Sequence, residues 1–205
     1  MNIPVGEKTR TDKKGNVTQG WDHDPPPKEK QVPFGFLIMG ISLLTLIFSN
    51  RETSDAWVDA LTIWWKQIRD GFSHIKRLVF YLDNGPNNNG RRTQFLKRMV
   101  QFSDWSGLEV HLIYYPPYHS KYNPVERCWA SLEKKWNGVL LKSVAIMLEC
   151  AQRMTWKGRH PIIRTMTGVY PNGVSLTRTE MKKVEQRLER SVTLPKYDIL
   201  IRPRE

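Results

Sequence analysis

At 205 residues the chain is long enough for one sizeable core, or for one domain with an appendage, and too short for two independent large domains. Its 40% apolar content, with eight Trp, seven Tyr and seven Phe, excludes an intrinsically disordered protein. A formal charge of +12 favours a polyanionic partner, because Lys and Arg gain free energy by releasing counterions condensed on nucleic acid; charge alone is shared with proteins that bind ribosomes or anionic membranes.

Residues 1–33 mix Lys, Asp, Gly and Asn with Pro25-Pro26-Pro27 and Pro33, a composition that predicts an extended arm or loop. The run Phe34 to Phe48 is interrupted only by Gly, Ser and Thr. It is shorter than the roughly 20 apolar residues a spanning helix needs, so two buried strands joined near Gly40 are expected and no membrane partner. Ser54 or Asp55 then caps a helix whose apolar residues Trp57, Leu61, Trp64, Trp65 and Ile68 recur at three- and four-residue steps. Leu78 to Leu82 reads as a strand that ends abruptly in Asp83-Asn84-Gly85-Pro86-Asn87-Asn88.

A second helix is expected from about Arg91 to Trp105, closed by Gly107, and a strand from Val110 to Tyr115. The proline loop from Pro116 leads to Asn123-Pro124-Val125-Glu126, which reads as a helix N-cap, a first-turn proline and an acid in the first turn. That helix buries Cys128 or Trp129, Leu132 and Trp136, and Gly138 ends it. Leu141 to about Met154 is a further helix, and Thr177 to Arg190 a charged surface helix. The order of elements predicts an α/β domain with a mixed β-sheet flanked by α-helices.

Cys128 and Cys150 form no C-x-x-C pair, so neither zinc nor a disulfide is expected. Met1 to Lys30 contains no apolar signal core, which implies a cytoplasmic setting.

Two carboxylates stand out. Asp83 closes a buried strand and Glu126 opens a helix, so both can point to one edge. Magnesium keeps several waters and needs only one or two protein carboxylates beside substrate phosphates. Each acid also has a structural reading: Asp83 as a turn former that binds backbone N–H groups, Glu126 as the partner of Asn123 in a near capping box.

The flanking strings carry more than either acid alone. L-D-N-G-P-N-N-N-G-R-R-T-Q-F-L-K-R from Leu82 to Arg98, Y-Y-P-P-Y-H-S-K-Y-N-P-V-E-R-C-W from Tyr114 to Trp129, and M-T-W-K-G-R-H-P from Met154 to Pro161 resemble the Rhodopirellula-type DDE transposases of bacterial insertion sequences. These are more distantly akin to mariner-like enzymes and the retroviral integrase superfamily. The resemblance implies an RNase H-like fold, with a partial catalytic core over 34–160 and a helical extension over 161–205. It implies Asp83 and Glu126 as catalytic, metal-holding residues, two Mg²⁺ or Mn²⁺ ions, and DNA strand cleavage followed by strand transfer.

It also implies DNA (transposon ends and target) as partner, a homo-oligomer, and a nucleoid-associated location when on DNA. The family's first Asp lies upstream of the segment resembling Asn2 to Arg10, so a truncated copy with its first strand missing or partial, and impaired activity, is expected. Neither Asp12 nor Asp22 is an obvious substitute, and Asp24 matches a segment downstream of that strand. Arg91, Arg92, Lys97, Arg98, His119, Lys121 and Arg127 cluster around the two acids. Of these Arg91, Arg92, His119, Lys121 and Arg127 are the candidate DNA contacts, each with an alternative reading as a solvated face or, for His119, a loop holder.

Overall fold

The long apolar run reverses where the sequence loses its side-chain bulk. In the computed structural model, which describes residues 31–204 except 117, 118, 120, 121, 140 and 142, strand β1 (Val32–Ile38) ends in one 3-10 turn at Met39–Ile41. Ser42 then takes the left-handed conformation (φ 53°) and strand β2 (Leu43–Ser49) returns antiparallel, with Val32 opposite Ser49 and Ile38 opposite Leu43. β2 also pairs in parallel with β5 (Ile162–Thr165), so it is the middle strand of a three-stranded sheet. That position buries both its faces and explains why its sequence is continuously apolar rather than alternating.

Helix α1 (Ser54–Ile68) follows. Its N-cap is Thr53, whose hydroxyl accepts the Ala56 N–H at 3.2 Å, one residue before the expected Ser54 or Asp55. The three hydroxyl or carboxylate residues in a row are equivalent to a propensity argument; the backbone decides between them, since Thr53 holds extended angles while Ser54 is already helical.

Strands β3 (Arg77–Leu82) and β4 (Glu109–Tyr114) are parallel, connected through helix α2 (Thr93–Ser106), which Gly107 closes at φ 70°. Helices α3 (Pro124–Trp136) and α4 (Val144–Gln152) come next. After β5, helix α5 (Arg178–Glu185) begins in a complete capping box between Thr177 and Glu180. Strand β6 (Leu188–Arg190) pairs with β7 (Asp198–Ile201), which lies antiparallel on β4.

The expected surface helix over 177–190 therefore stops at Glu185. The stretch 161–205, expected as helical, supplies one helix and three strands, of which β7 lies inside the second sheet with Ile199 and Ile201 fully buried. Charge density suggested helix, but these short strands draw their stability from neighbours distant in sequence.

Among the described residues the strands form two mixed sheets, β1-β2-β5 and β3-β4-β7-β6, consistent with an RNase H-like α/β fold. Two apolar clusters cover them. In the smaller one Leu44, Leu46 and Phe48 of β2 pack against Cys128, Leu132 and Trp136 of α3 and Met147 and Ala151 of α4. The larger gathers α1, α2, β1, β3, β4 and β7.

Trp57 of α1 joins the two sheets. Its ring meets Phe36 of β1 at 5.7 Å, Phe80 of β3 at 6.3 Å and Phe95 of α2 at 5.3 Å, all edge-on. Such contacts contribute about 0.5–1.5 kcal/mol each beyond area burial. Trp57→Ala is expected to lower the unfolding free energy by about 3 kcal/mol. Val169→Ala, at a side chain 97% exposed, should change it by less than about 0.5 kcal/mol. Urea denaturation of the two variants checks both.

Candidate active site

β3, expected as a buried strand, alternates: Arg77, Val79 and Tyr81 are exposed on one face, Leu82 ends the other face buried, and Asp83 continues the exposed alternation. Asn84 adopts φ 62°, a left-handed angle that Asn tolerates better than most residues. Oδ1 of Asp83 accepts the Gly85 N–H at 3.3 Å and Nδ2 of Asn88 at 3.0 Å. The turn-forming reading is thus correct for one carboxylate oxygen. The other makes no hydrogen bond among the described residues.

The loop itself is clamped from several sides. Asn87 donates through Nδ2 to the Glu52 carbonyl at 3.0 Å, and its own carbonyl accepts the Ser54 hydroxyl at 2.7 Å. Asn89 closes the loop onto the Gly85 carbonyl at 2.9 Å. At Gly90 a Cβ would stand 2.4 Å from the Lys196 carbonyl oxygen, so only glycine admits this approach.

Glu126 lies in the first turn of α3, behind the buried N-cap Asn123. Oδ1 of Asn123 accepts the Val125 N–H at 3.4 Å, and the Glu126 N–H donates to the Asn123 carbonyl at 3.1 Å. The Glu126 carboxylate does not reach back to the Asn123 backbone, so no capping box forms here, in contrast to α5. The structural reading accounts for Asn123 and leaves the Glu126 side chain unexplained.

Glu126 carries the charge imprint of its surroundings. Burial raises the Glu126 carboxyl above the usual range, and the negative charges of Asp83 and then Glu133 add to the rise. A third group stands by. Tyr114, at the end of β4 opposite Leu82, has a buried hydroxyl without a hydrogen-bond partner among the described residues. Burial raises its pKa most, the Asp83 charge raises it too, and Arg190 opposes them.

The basic residues divide. Arg91, in the loop after Asp83, and Arg127, next to Glu126 in sequence, are exposed. Arg92 precedes α2 as its N-cap and, with Thr53, Ser54, Asp55 and Gln94, lines a polar cavity of about 190 Å³. His119 is exposed and its ring stacks at 5.8 Å on Tyr122, which fits a loop-holding role. Lys121 lies outside the described residues, as do Asp12, Asp22 and Asp24. Arg98 turns away from the acids and bridges Asp55 at 3.2 Å and Asp59 at 2.5 Å, and Lys97 faces Glu180 at 4.0 Å.

Sequence reasoning passed over Asn88 and gave Tyr114 no place beside Asp83. The signal for Asn88 was its place in the Asn87-Asn88-Asn89 run, where turn propensity does not say which amide bonds the acid. Nothing in the sequence marked Tyr114 as standing by Asp83.

A family model for the Rhodopirellula transposase DDE domain matches residues 4–203. No curated protein and no solved structure matches the chain.

The raised Glu126 pKa fixes a sign. A carboxyl raised above its unfolded value, about 4.3 for Glu, contributes stability that is present at pH below that value and lost as pH rises through the folded pKa. Ionised Glu126 therefore works against folding at neutral pH. Glu126→Gln is expected to melt at or above the wild-type temperature at pH 7, with the difference shrinking toward pH 4. Thermal melts at the two pH values read it directly.

Proposed function

The chain belongs to the Rhodopirellula transposase DDE domain family, and from that premise we propose that Asp83 and Glu126 hold a divalent metal against DNA and are the catalytic acids of strand cleavage and strand transfer. The observation that carries this is the placing of Glu126, half-buried, near enough to Asp83 to feel its charge, and without a capping role. Its carboxyl is raised first by that burial and then by Asp83, and is free of the capping bond that would give it a structural task. Two carboxylates driven against each other in this way are relieved by a shared cation.

The donor set fits magnesium or manganese, hard ions that take carboxylate oxygens and complete their shell with water and phosphate. When bound, such ions lower the pKa of a coordinated water or 3′-hydroxyl and neutralise charge on the phosphodiester. The protein's part is orientation. Gly85 and Asn88 fix one oxygen of Asp83, which leaves the other for ligation. Ser54, Asn87 and Glu52 hold the loop so that this orientation does not drift. Arg91 and Arg127, both exposed, are suited to phosphate oxygens. Lys121, Arg92 and His119 remain candidates for the same surface.

A second reading has its own observation. Among the described residues no group of three or more His, Cys, Asp or Glu converges to hold a metal. On this reading Asp83 and Glu126 act without a third acid, which favours weak strand transfer and, in the limit, an inactive DNA-binding remnant. Homo-oligomerisation and a cytoplasmic, nucleoid-associated location follow from the family premise. No helix among the described residues is long and apolar enough to cross a membrane.

Titration of Mn²⁺ into the protein by calorimetry, with cleavage of transposon-end duplex in parallel, tests the proposal. Asp83→Asn and Glu126→Gln should each weaken Mn²⁺ binding by about tenfold or more, the scale of one lost charged ligand. Duplex binding, set by basic residues, should persist and fall with added salt. Wild-type Mn²⁺ affinity unchanged by both substitutions would remove the metal reading. Duplex binding without any cleavage would leave the remnant.

A further inference from the structure

The row of backbone partners that ends beside Asp83 continues across the second sheet. Leu82 stands opposite Tyr114, and the Tyr114 N–H donates to the Tyr197 carbonyl at 2.8 Å. Tyr197 is the last residue before β7, so the turn that joins β6 to β7, residues 191–197, projects from the same end of the sheet as Asp83. Two strand spacings separate β7 from β3, which sets the turn roughly 10 Å to one side of the acid.

This turn is tied to the loop that carries Asp83. Arg190 donates through Nη1 to the carbonyls of Gly90 at 3.1 Å and Pro195 at 2.8 Å, and the Lys196 carbonyl lies against Gly90 where no side chain fits. It is also bonded within itself. The Leu194 carbonyl accepts the N–H groups of Tyr197 at 2.9 Å and Asp198 at 3.0 Å. The Ser191 N–H donates to the Asp198 carbonyl at 3.0 Å, and the Ser191 hydroxyl accepts the Leu194 N–H at 3.2 Å. With its backbone groups satisfied internally, the turn keeps its shape when pressed against a partner.

What it presents is apolar. Val192 is 98% exposed and Leu194 53%, and Pro195 is exposed after them. Turns draw mostly on Gly, Asn, Asp and Ser, and apolar side chains aimed at water forgo the gain of burial unless a partner covers them. The neighbouring charge is of one sign: Lys196 and Arg91 are exposed, and no Asp or Glu lies between Arg190 and Tyr197.

We infer that this turn is a wedge that enters duplex DNA beside the reacting phosphodiester, where Val192 and Leu194 lodge against a base step and unstack it. The inference rests on DNA as the partner of the edge that carries Asp83, and adds how the duplex is deformed there. Apolar side chains can enter a base stack and kink the duplex, while cations nearby hold the backbone. At about 3.4 Å per base pair, an offset of roughly 10 Å puts the wedge about three base pairs from the phosphate at Asp83. Two side chains offer far less than the roughly 800 Å² a side that a stable protein interface buries, which favours DNA over a protein partner.

The test uses the full chain in EDTA, so the metal reading does not enter it. The probes are short fluorescein-labelled duplexes of mixed sequence, either fully paired or with a two-base mismatch at the centre. Anisotropy should show the wild-type chain binding the mismatched duplex about tenfold more tightly, because that step is already open. Val192→Ser combined with Leu194→Ser should bring the two affinities together. Met39→Ala, at an exposed apolar side chain in the turn between β1 and β2, should leave the preference in place. On the paired duplex the wild-type chain should raise the permanganate reactivity of thymines, which reports unstacking, and the double variant should not.

Equal wild-type affinity for the two duplexes, an equal loss on both in the double variant, or unchanged thymine reactivity would each overturn the wedge and leave the DNA reading standing. So would sedimentation in which the double substitution abolishes self-association while the duplex preference persists. A wild-type chain that binds neither duplex would remove the DNA reading and the wedge together.

Discussion

Trp57 is the contact on which the rest of the molecule depends. Among the described residues the two sheets share no strand pairing, so their relative position is set by side chains rather than by a backbone ladder. One indole on α1 touches Phe36 from the first sheet, Phe80 from the second and Phe95 from the helix that covers it. Edge-on aromatic contacts are directional, because the positive ring edge seeks the negative face of its neighbour. They fix an angle as well as a distance, which a cluster of aliphatic residues would do less well.

The same helix holds the site. Its first residue, Ser54, and the residue two before it, Glu52, grip the loop that carries Asp83. Burying Trp57 and positioning the acid are thus two ends of one element. The Asp104–Arg187 pair does comparable work at the opposite side, tying α2 to the segment between α5 and β6 with Arg187 donating at 3.1 and 2.7 Å. There the Arg187 guanidinium holds the Asp104 carboxyl below its usual range. Asp104 and Glu126 make a useful contrast: one carboxylate is favoured by a paired cation, the other is disfavoured by burial and by its acidic neighbours. The first pattern belongs to a structural bridge. In the proposed function, a shared cation would relieve the second.

Much of the fold was legible because local signals were unambiguous. The apolar run at 34–48 was too short for a membrane span and broke at small residues, and it forms the expected pair of strands. Asn123-Pro124 announced a helix start through capping and fixed φ, and α3 begins there. The limits were equally local. Three adjacent capping residues hid Thr53 as the true cap, and charge density over 177–190 concealed β6. A three-residue strand that pairs with a segment ten positions on carries almost no signal of its own.

Sequence by itself determined the family, through long strings around Asp83 and Glu126, and the α/β class, through periodicity and turn chemistry. Only the tertiary structure decided how those two acids are held. It showed that the Glu126 carboxylate forms no capping box, that Asn88 takes one oxygen of Asp83, and that a buried Tyr114 stands nearby. It also decided that the strands divide into two sheets with an apolar groove between them. The reason is physical: caps, turns and helices are written within a few residues, whereas like-charge pressure and open strand edges depend on which distant segments come together.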